Sequence, residues 1–185
     1  MQSIQLFLKR YKVKSLIITL IILLTYSATY VSSTSHSSSK KYIPKFDPEK
    51  QYEVVKVVDG DTFDIKIDNK IVKVRMLGID TPETVDPRKI VQCFGKEASN
   101  KTKELLLKHS VKLQSDPTQG SADKYGRLLA YVYSSEGIFI NQYLVENGYA
   151  HEYTYNIPYE KQKEFKDFEK KARENKVGLW GSLCS

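Results

Sequence analysis

Histidine and cysteine are scarce in this sequence of 185 residues. There are three His (His36, His109, His151) and two Cys (Cys93, Cys184), too few for zinc sites built from several of either. Glycine (9) and proline (6) are also sparse beside 41% hydrophobic and 28% charged positions, so the chain is neither collagen-like nor disordered. No internal repeat is visible. The length suits about one domain with a real core, at roughly 150 residues per domain. Acidic residues are outnumbered, 22 against 29 Lys plus Arg, for a net charge of +7. That excess suits an anionic partner without naming one.

The first 14 residues contain no acid but carry Lys9, Arg10, Lys12 and Lys14, and Leu16 to Leu24 is apolar apart from Thr19. A basic segment ahead of a short apolar run reads as an export signal. A weaker continuation through Tyr26, Ala28 and Tyr30 to Val31 brings it to the lower limit for crossing a bilayer, about 17 residues. Residues 1–31 are therefore expected to be a signal peptide or a membrane anchor, and the protein to be extracellular, either secreted or tethered to the outer face of the cell membrane. No Cys follows the run, which argues against a lipoprotein anchor. Ser32 to Ser39 holds no apolar residue, so 32–49 is expected to be a linker and 50–185 the folded domain. Four positive and no negative charges lie in residues 1–39, leaving the remainder at only +3. Global charge is thus weak support for a nucleic-acid partner, and individual basic residues must carry that argument.

In the folded segment Tyr52 to Val58 is rich in Val, Thr62 to Ile67 alternates Phe63, Ile65 and Ile67 with polar residues, and Ile71 to Met76 alternates Val72, Val74 and Met76 likewise. With Asp68-Asn69-Lys70 as a tight turn, these form a β-meander. Val111 to Gln114 and Leu128 to Tyr133 return to strand character. Helices are expected over Gly95 to His109, Ile138 to Glu146 and Pro158 to Arg173, the last with Pro at its start. The pattern predicts an α+β fold, a five-stranded OB-type β-barrel with three helices, preceded by the N-terminal signal or anchor helix.

A turn centred near Asn69 places Asp61 opposite residues 76 to 78, with Asp80 only a few residues further on. Asp61 and Asp80 can then meet at one end of the hairpin, and Thr81, kept extended by Pro82, can aim its carbonyl the same way. Two carboxylates and a carbonyl suit a hard cation such as Ca²⁺. Taken alone, Asp59-Gly60-Asp61 is an ordinary turn, and Asp80-Thr81-Pro82-Glu83 an ordinary segment start. What raises the functional reading is Arg75 on the same hairpin, alternating with Val74 and Met76 and so leaving the apolar face. Asp123-Lys124-Tyr125-Gly126-Arg127 has turn character and can bring a second guanidinium. Arginine forks match phosphate oxygens bidentately, so the combination asks for a phosphodiester.

Asp59-Gly60-Asp61-Thr62, Arg75-Met76-Leu77-Gly78-Ile79-Asp80-Thr81-Pro82-Glu83 and Asp123-Lys124-Tyr125-Gly126-Arg127 together resemble, in order and spacing, the staphylococcal (thermo)nuclease family. The likeness runs from about Tyr52 to Trp180. It implies an OB barrel and a Ca²⁺-dependent endonuclease acting on DNA and RNA, single strands favoured, as a monomer leaving 3′-phosphate and 5′-hydroxyl ends. By the same resemblance Asp61, Asp80 and the Thr81 carbonyl are the metal ligands. Glu83 is the carboxylate that orients or deprotonates the attacking water, and Arg75 and Arg127 are the phosphate clamp. Lys124 and Tyr125 resemble a terminal-phosphate subsite, and Tyr153 and Tyr155 resemble residues flanking base and phosphate. The alternative function is a noncatalytic OB module that binds single strands. It is disfavoured because Asp61, Asp80, Glu83, Arg75 and Arg127 are all present. The other ten of the thirteen tyrosines, and His109 and His151, read as packing or surface.

Two cysteines in an exported protein invite a Cys93–Cys184 disulfide. The best-known staphylococcal member has none, so this departs from the family pattern.

Overall fold

In the computed structural model the described residues are 18–24, 45–84 and 91–184. The chain divides into two units, Met1–Lys41 and Tyr42–Ser185. In the first, residues 18–24 are helical; among the described residues no helix is long and apolar enough to cross a membrane. The remainder of the expected signal or anchor, and the linker as far as residue 44, lie outside the described residues.

The second unit is built on alternating strands whose apolar faces close on one another. β1 (Tyr52–Val57), β2 (Thr62–Ile67), β3 (Lys70–Met76), β5 (Ser110–Gln114) and β6 (Leu128–Ser134) form a closed barrel in the order β1-β2-β3-β6-β5. Its pairs are antiparallel except β3 with β6. Val54, Phe63, Ile65, Val74, Met76, Val111, Leu113, Leu128 and Val132 are almost wholly buried, as the period-two pattern requires. The β2–β3 turn has Asp68 at φ 47° and Asn69 at φ 63°, the two left-handed residues of a type I′ hairpin. It sets Thr62 opposite Arg75 and lets Met76 N–H donate to Asp61 O at 2.9 Å.

Three helices follow: α1 (Gly95–Leu106), α2 (Ile140–Glu146) and α3 (Gln162–Glu174). Each is shorter at one end than its apolar pattern suggests, because tertiary bonds claim the backbone. Lys108 N–H donates to Val54 O and His109 O accepts from Val54 N–H, which pulls the residues after Leu106 toward β1. Ile138 N–H is taken by Ser134 Oγ at 3.1 Å, so α2 opens two residues late. Pro158 does not start α3; Glu160 N–H donates to Asp116 Oδ2 at 2.8 Å and Lys161 N–H to Tyr131 Oη at 3.4 Å, and the helix begins only at Gln162. Asn141, fully buried, accepts Val132 N–H and donates to Leu77 O, fixing α2 to both β6 and the end of the hairpin.

A second sheet goes beyond the expected five strands. β4 (Ile79–Asp80) pairs antiparallel with β7 (His151–Glu152), Asp80 facing His151. Tyr153 N–H continues the ladder to Gly78 O at 2.9 Å. Two-residue strands carry no periodicity, so the sequence gives no sign of them. Their effect is to hold the tyrosine-bearing segment beside the Asp80 loop.

Candidate active site

The hairpin brings Asp61 and Asp80 to a single guanidinium. Arg75 Nε lies 3.1 Å from Asp61 Oδ1 and Nη2 lies 2.8 Å from Asp80 Oδ1, while Nη1 donates to Met76 O and Ile79 O, both at 2.7 Å. The alternation argument expected Arg75 to leave the barrel's apolar face, and it does, but into a buried position under these four acceptors. Asp61 is buried too. Thr62 Oγ1 donates to its Oδ1 at 2.9 Å, and Thr81 N–H and Oγ1 donate to its Oδ2 at 2.9 and 3.1 Å. Thr81 is thereby latched to the barrel through its N–H.

Arg127 comes from the loop before β6. Its Nε is 2.6 Å from Asp123 Oδ2 and its Nη1 is 3.5 Å from Thr62 Oγ1. Tyr125 lies over the same cation, ring centre 5.5 Å from Arg127 Cζ, and Lys124 Nζ sits 5.1 Å from the Tyr125 ring and 5.9 Å from the Tyr155 ring. Tyr153 and Tyr155, both exposed, hold their rings 6.4 Å apart on one side of the segment after β7. Asp61, Arg75, Asp80, Thr81, Glu83, Lys124, Tyr125, Arg127, Tyr153 and Tyr155 all line one cleft of about 820 Å³. The cysteines lie elsewhere, joined to each other with Cα atoms 5.7 Å apart. His151, beyond pairing with Asp80, places Nδ1 3.3 Å from Glu169 Oε1.

Negative charge in this cleft exceeds what Arg75 neutralises. Burial, then the charge of Asp61, pushes the Asp59 carboxyl up to about 6 against the opposing pull of an Asp61 N–H bond and Arg75. Asp80 is raised by the same two causes in the same order, opposed by Arg75 and His151. Carboxylates that repel each other at one end of a hairpin fit a hard divalent cation, which relieves that repulsion and prefers oxygen. Among the described residues no group of three or more His, Cys, Asp or Glu is arranged to hold a metal. A cation here would therefore draw on Asp61, Asp80 and main-chain or water oxygens.

Residues 73–182 match the model of a protein family described as staphylococcal nuclease homologue. The chain belongs to the staphylococcal nuclease family. It is 40% identical over 134 residues to a thermonuclease of Staphylococcus hyicus, covering 72% of this chain and 78% of that one. A thermonuclease of Staphylococcus intermedius is 39% identical over 129 residues, 70% of this chain and 75% of the relative. Endonuclease YncB of Bacillus subtilis is 35% identical over 151 residues, 80% of this chain and 67% of the relative.

Two polar residues of this staphylococcal nuclease homologue were not singled out by sequence reasoning. Asp123 accepts Tyr125 N–H and Arg127 N–H on Oδ1, each at 2.9 Å, while its Oδ2 holds Arg127 Nε. One carboxylate thus closes the turn and aims the cation. Its signal was in plain view, an Asp heading a turn four residues before an Arg. Thr62, between Asp61 and Arg127, joins the two halves of the site through one hydroxyl; nothing in its strand position distinguishes it.

Proposed function

We propose that this protein is a Ca²⁺-dependent endonuclease that hydrolyses phosphodiester bonds of DNA and RNA, single strands favoured, leaving 3′-phosphate and 5′-hydroxyl ends. The observation that carries the reading is the meeting, in one cleft, of the Asp61–Asp80 pair, Glu83 and two arginines with an aromatic wall. Asp61, Asp80 and the Thr81 carbonyl would hold the ion, which when bound supplies positive charge against a phosphoryl oxygen. Glu83 orients a water and accepts its proton as the water oxygen bonds to phosphorus. Arg75, whose Nη1 and Nη2 donate to Met76 O, Ile79 O and Asp80 Oδ1 and whose Nε faces Asp61, keeps the carboxylate pair in register and brings its positive charge to a phosphoryl oxygen. Arg127, tethered through Nε, loosely at Nη1 and by the Tyr125 ring, offsets the charge that grows as the bond to the 5′-oxygen breaks. That oxygen leaves as the 5′-hydroxyl after taking a proton from water.

Tyr153 and Tyr155 offer faces to bases, a contact worth about 1–3 kcal/mol per base and indifferent to base identity. We take Lys124 and Tyr125, which line the same cleft, as the terminal-phosphate subsite, the ammonium supplying the charge. We further propose that the protein works outside the cytoplasm. The basic and apolar N-terminal segment and the Cys93–Cys184 bond support this, since cytoplasmic thiols are kept reduced.

The deciding experiment incubates the purified protein with single-stranded DNA and with RNA in Ca²⁺, and then with excess EGTA. Cleavage that stops on chelation is expected. Retained binding with no cleavage in Ca²⁺ would favour a noncatalytic single-strand binder, and cleavage indifferent to EGTA would remove the calcium dependence. Glu83→Ala and Arg127→Ala are each expected to lower turnover by orders of magnitude in a folded protein.

A further inference from the structure

We infer that Gln92 is a positioning residue for Glu83. Its amide and its backbone N–H grip the Glu83 main chain from both sides and set where that carboxylate enters the cleft. The inference rests on the role proposed above for Glu83.

Glu83 is held from two directions. Upstream, Thr81 is latched to buried Asp61 by its N–H and hydroxyl, and Pro82 restricts the backbone between them. Downstream, Glu83 N–H donates to Gln92 Oε1 at 2.8 Å, and Gln92 N–H returns a bond to Glu83 O at 3.0 Å. The pair is reciprocal, so the peptide groups on either side of the Glu83 Cα are both fixed. A short flexible acid is thereby given a defined origin, the condition for placing a water within reach of phosphorus.

The platform carrying Gln92 is rigid for independent reasons. Gln92 O accepts Gly95 N–H at 3.1 Å, closing the turn that opens α1. Cys93 is covalently bound to Cys184. Phe94 adopts φ 63° with its ring 5.6 Å from Tyr149. A Cβ on Gly95 would stand 2.6 Å from Thr84 Cγ2 and 3.1 Å from Pro82 O, so the start of α1 lies directly against the Pro82–Thr84 segment. Gln92 itself is exposed and contributes nothing to the core. Among the described residues, deleting its amide therefore removes the grip and little else.

The test compares Gln92→Ala, Gln92→Met and Gln92→Glu in the full chain, with Glu83→Ala and the Glu83→Ala/Gln92→Ala double variant. The readouts are kcat and KM on single-stranded DNA in Ca²⁺, and the thermal midpoint of each protein. Loss of the acceptor in Gln92→Ala and Gln92→Met is expected to lower kcat about tenfold while KM stays within about twofold. Gln92→Glu, whose carboxylate accepts the same N–H, is expected to retain most of the rate. In the Glu83→Ala background, removing Gln92 should change nothing further. A wild-type kcat in both acceptor-less variants overturns the inference, as does an equal loss with Glu83 already absent. If Gln92→Ala unfolds, Gln92→Met, which keeps the side-chain stem, decides alone. Full turnover in Glu83→Ala would overturn the reading of the site beneath it, a result separable from any behaviour of the Gln92 variants.

Discussion

Arg127 is gripped at Nε, 2.6 Å from Asp123, and only loosely at Nη1, 3.5 Å from Thr62, with its guanidinium lining the cleft. Asp123→Asn keeps an oxygen for the Tyr125 and Arg127 N–H groups but removes the charge on Nε. We expect kcat to fall about tenfold with a thermal midpoint close to wild type, since the turn survives. A steady-state assay paired with a melting curve checks it. Asp59 makes a prediction of opposite character. Its carboxyl sits near 6 in the folded protein against an ordinary value of 3.8, so between those pH values the folded state binds the extra proton. Stability from this group is present below about pH 4 and lost as pH rises through 6. Asp59→Asn should therefore stabilise the calcium-free protein at pH 7.5, with the gain vanishing near pH 4 in urea titrations. Residues such as Asp61, Asp80 and Arg75 were legible in the sequence because one hairpin register brings them together. Asp123, Thr62 and Gln92 were not, because they act by accepting main-chain or neighbouring side-chain bonds, which leaves no mark on hydrophobic period.

At the level of elements, the barrel strands were readable because each buries one face, and period-two alternation records that burial directly. The β4–β7 pair was not, since its existence depends on two segments about 70 residues apart meeting edge to edge. Helix ends slipped for the same reason: Val54, Ser134 and Asp116 compete for backbone groups that local pattern assigns to the helices. The Cys93–Cys184 bond fastens the chain end to the turn opening α1. Closing a loop of 91 residues in sequence limits the unfolded chain by about 4.6 kcal/mol in the chain-entropy model, an upper figure for the effect. Cys93→Ser/Cys184→Ser is expected to lower the urea midpoint with the barrel's circular dichroism preserved. An unchanged midpoint would mean the tail is held by its other contacts.

Across the whole molecule, a buried acid joins the barrel to the helical half. Asp116 accepts from Tyr131 Oη, from Thr118 N–H and Oγ1, and from Glu160 N–H. Burial alone would raise its carboxyl, but these donors outweigh it and hold the group below the ordinary range. The unfolded chain therefore takes up this proton first as pH falls. The stabilisation is complete above about pH 4 and disappears as pH drops through the folded value. Asp116→Asn should flatten the acid limb of a stability profile below pH 4 and cost stability at pH 7; a profile parallel to wild type would refute the linkage. The covalent tie between Cys93 and Cys184 also spans most of the helical half. A protease that nicks one exposed loop between those positions leaves two fragments still shackled together, migrating as a single band until thiol is added to the gel sample.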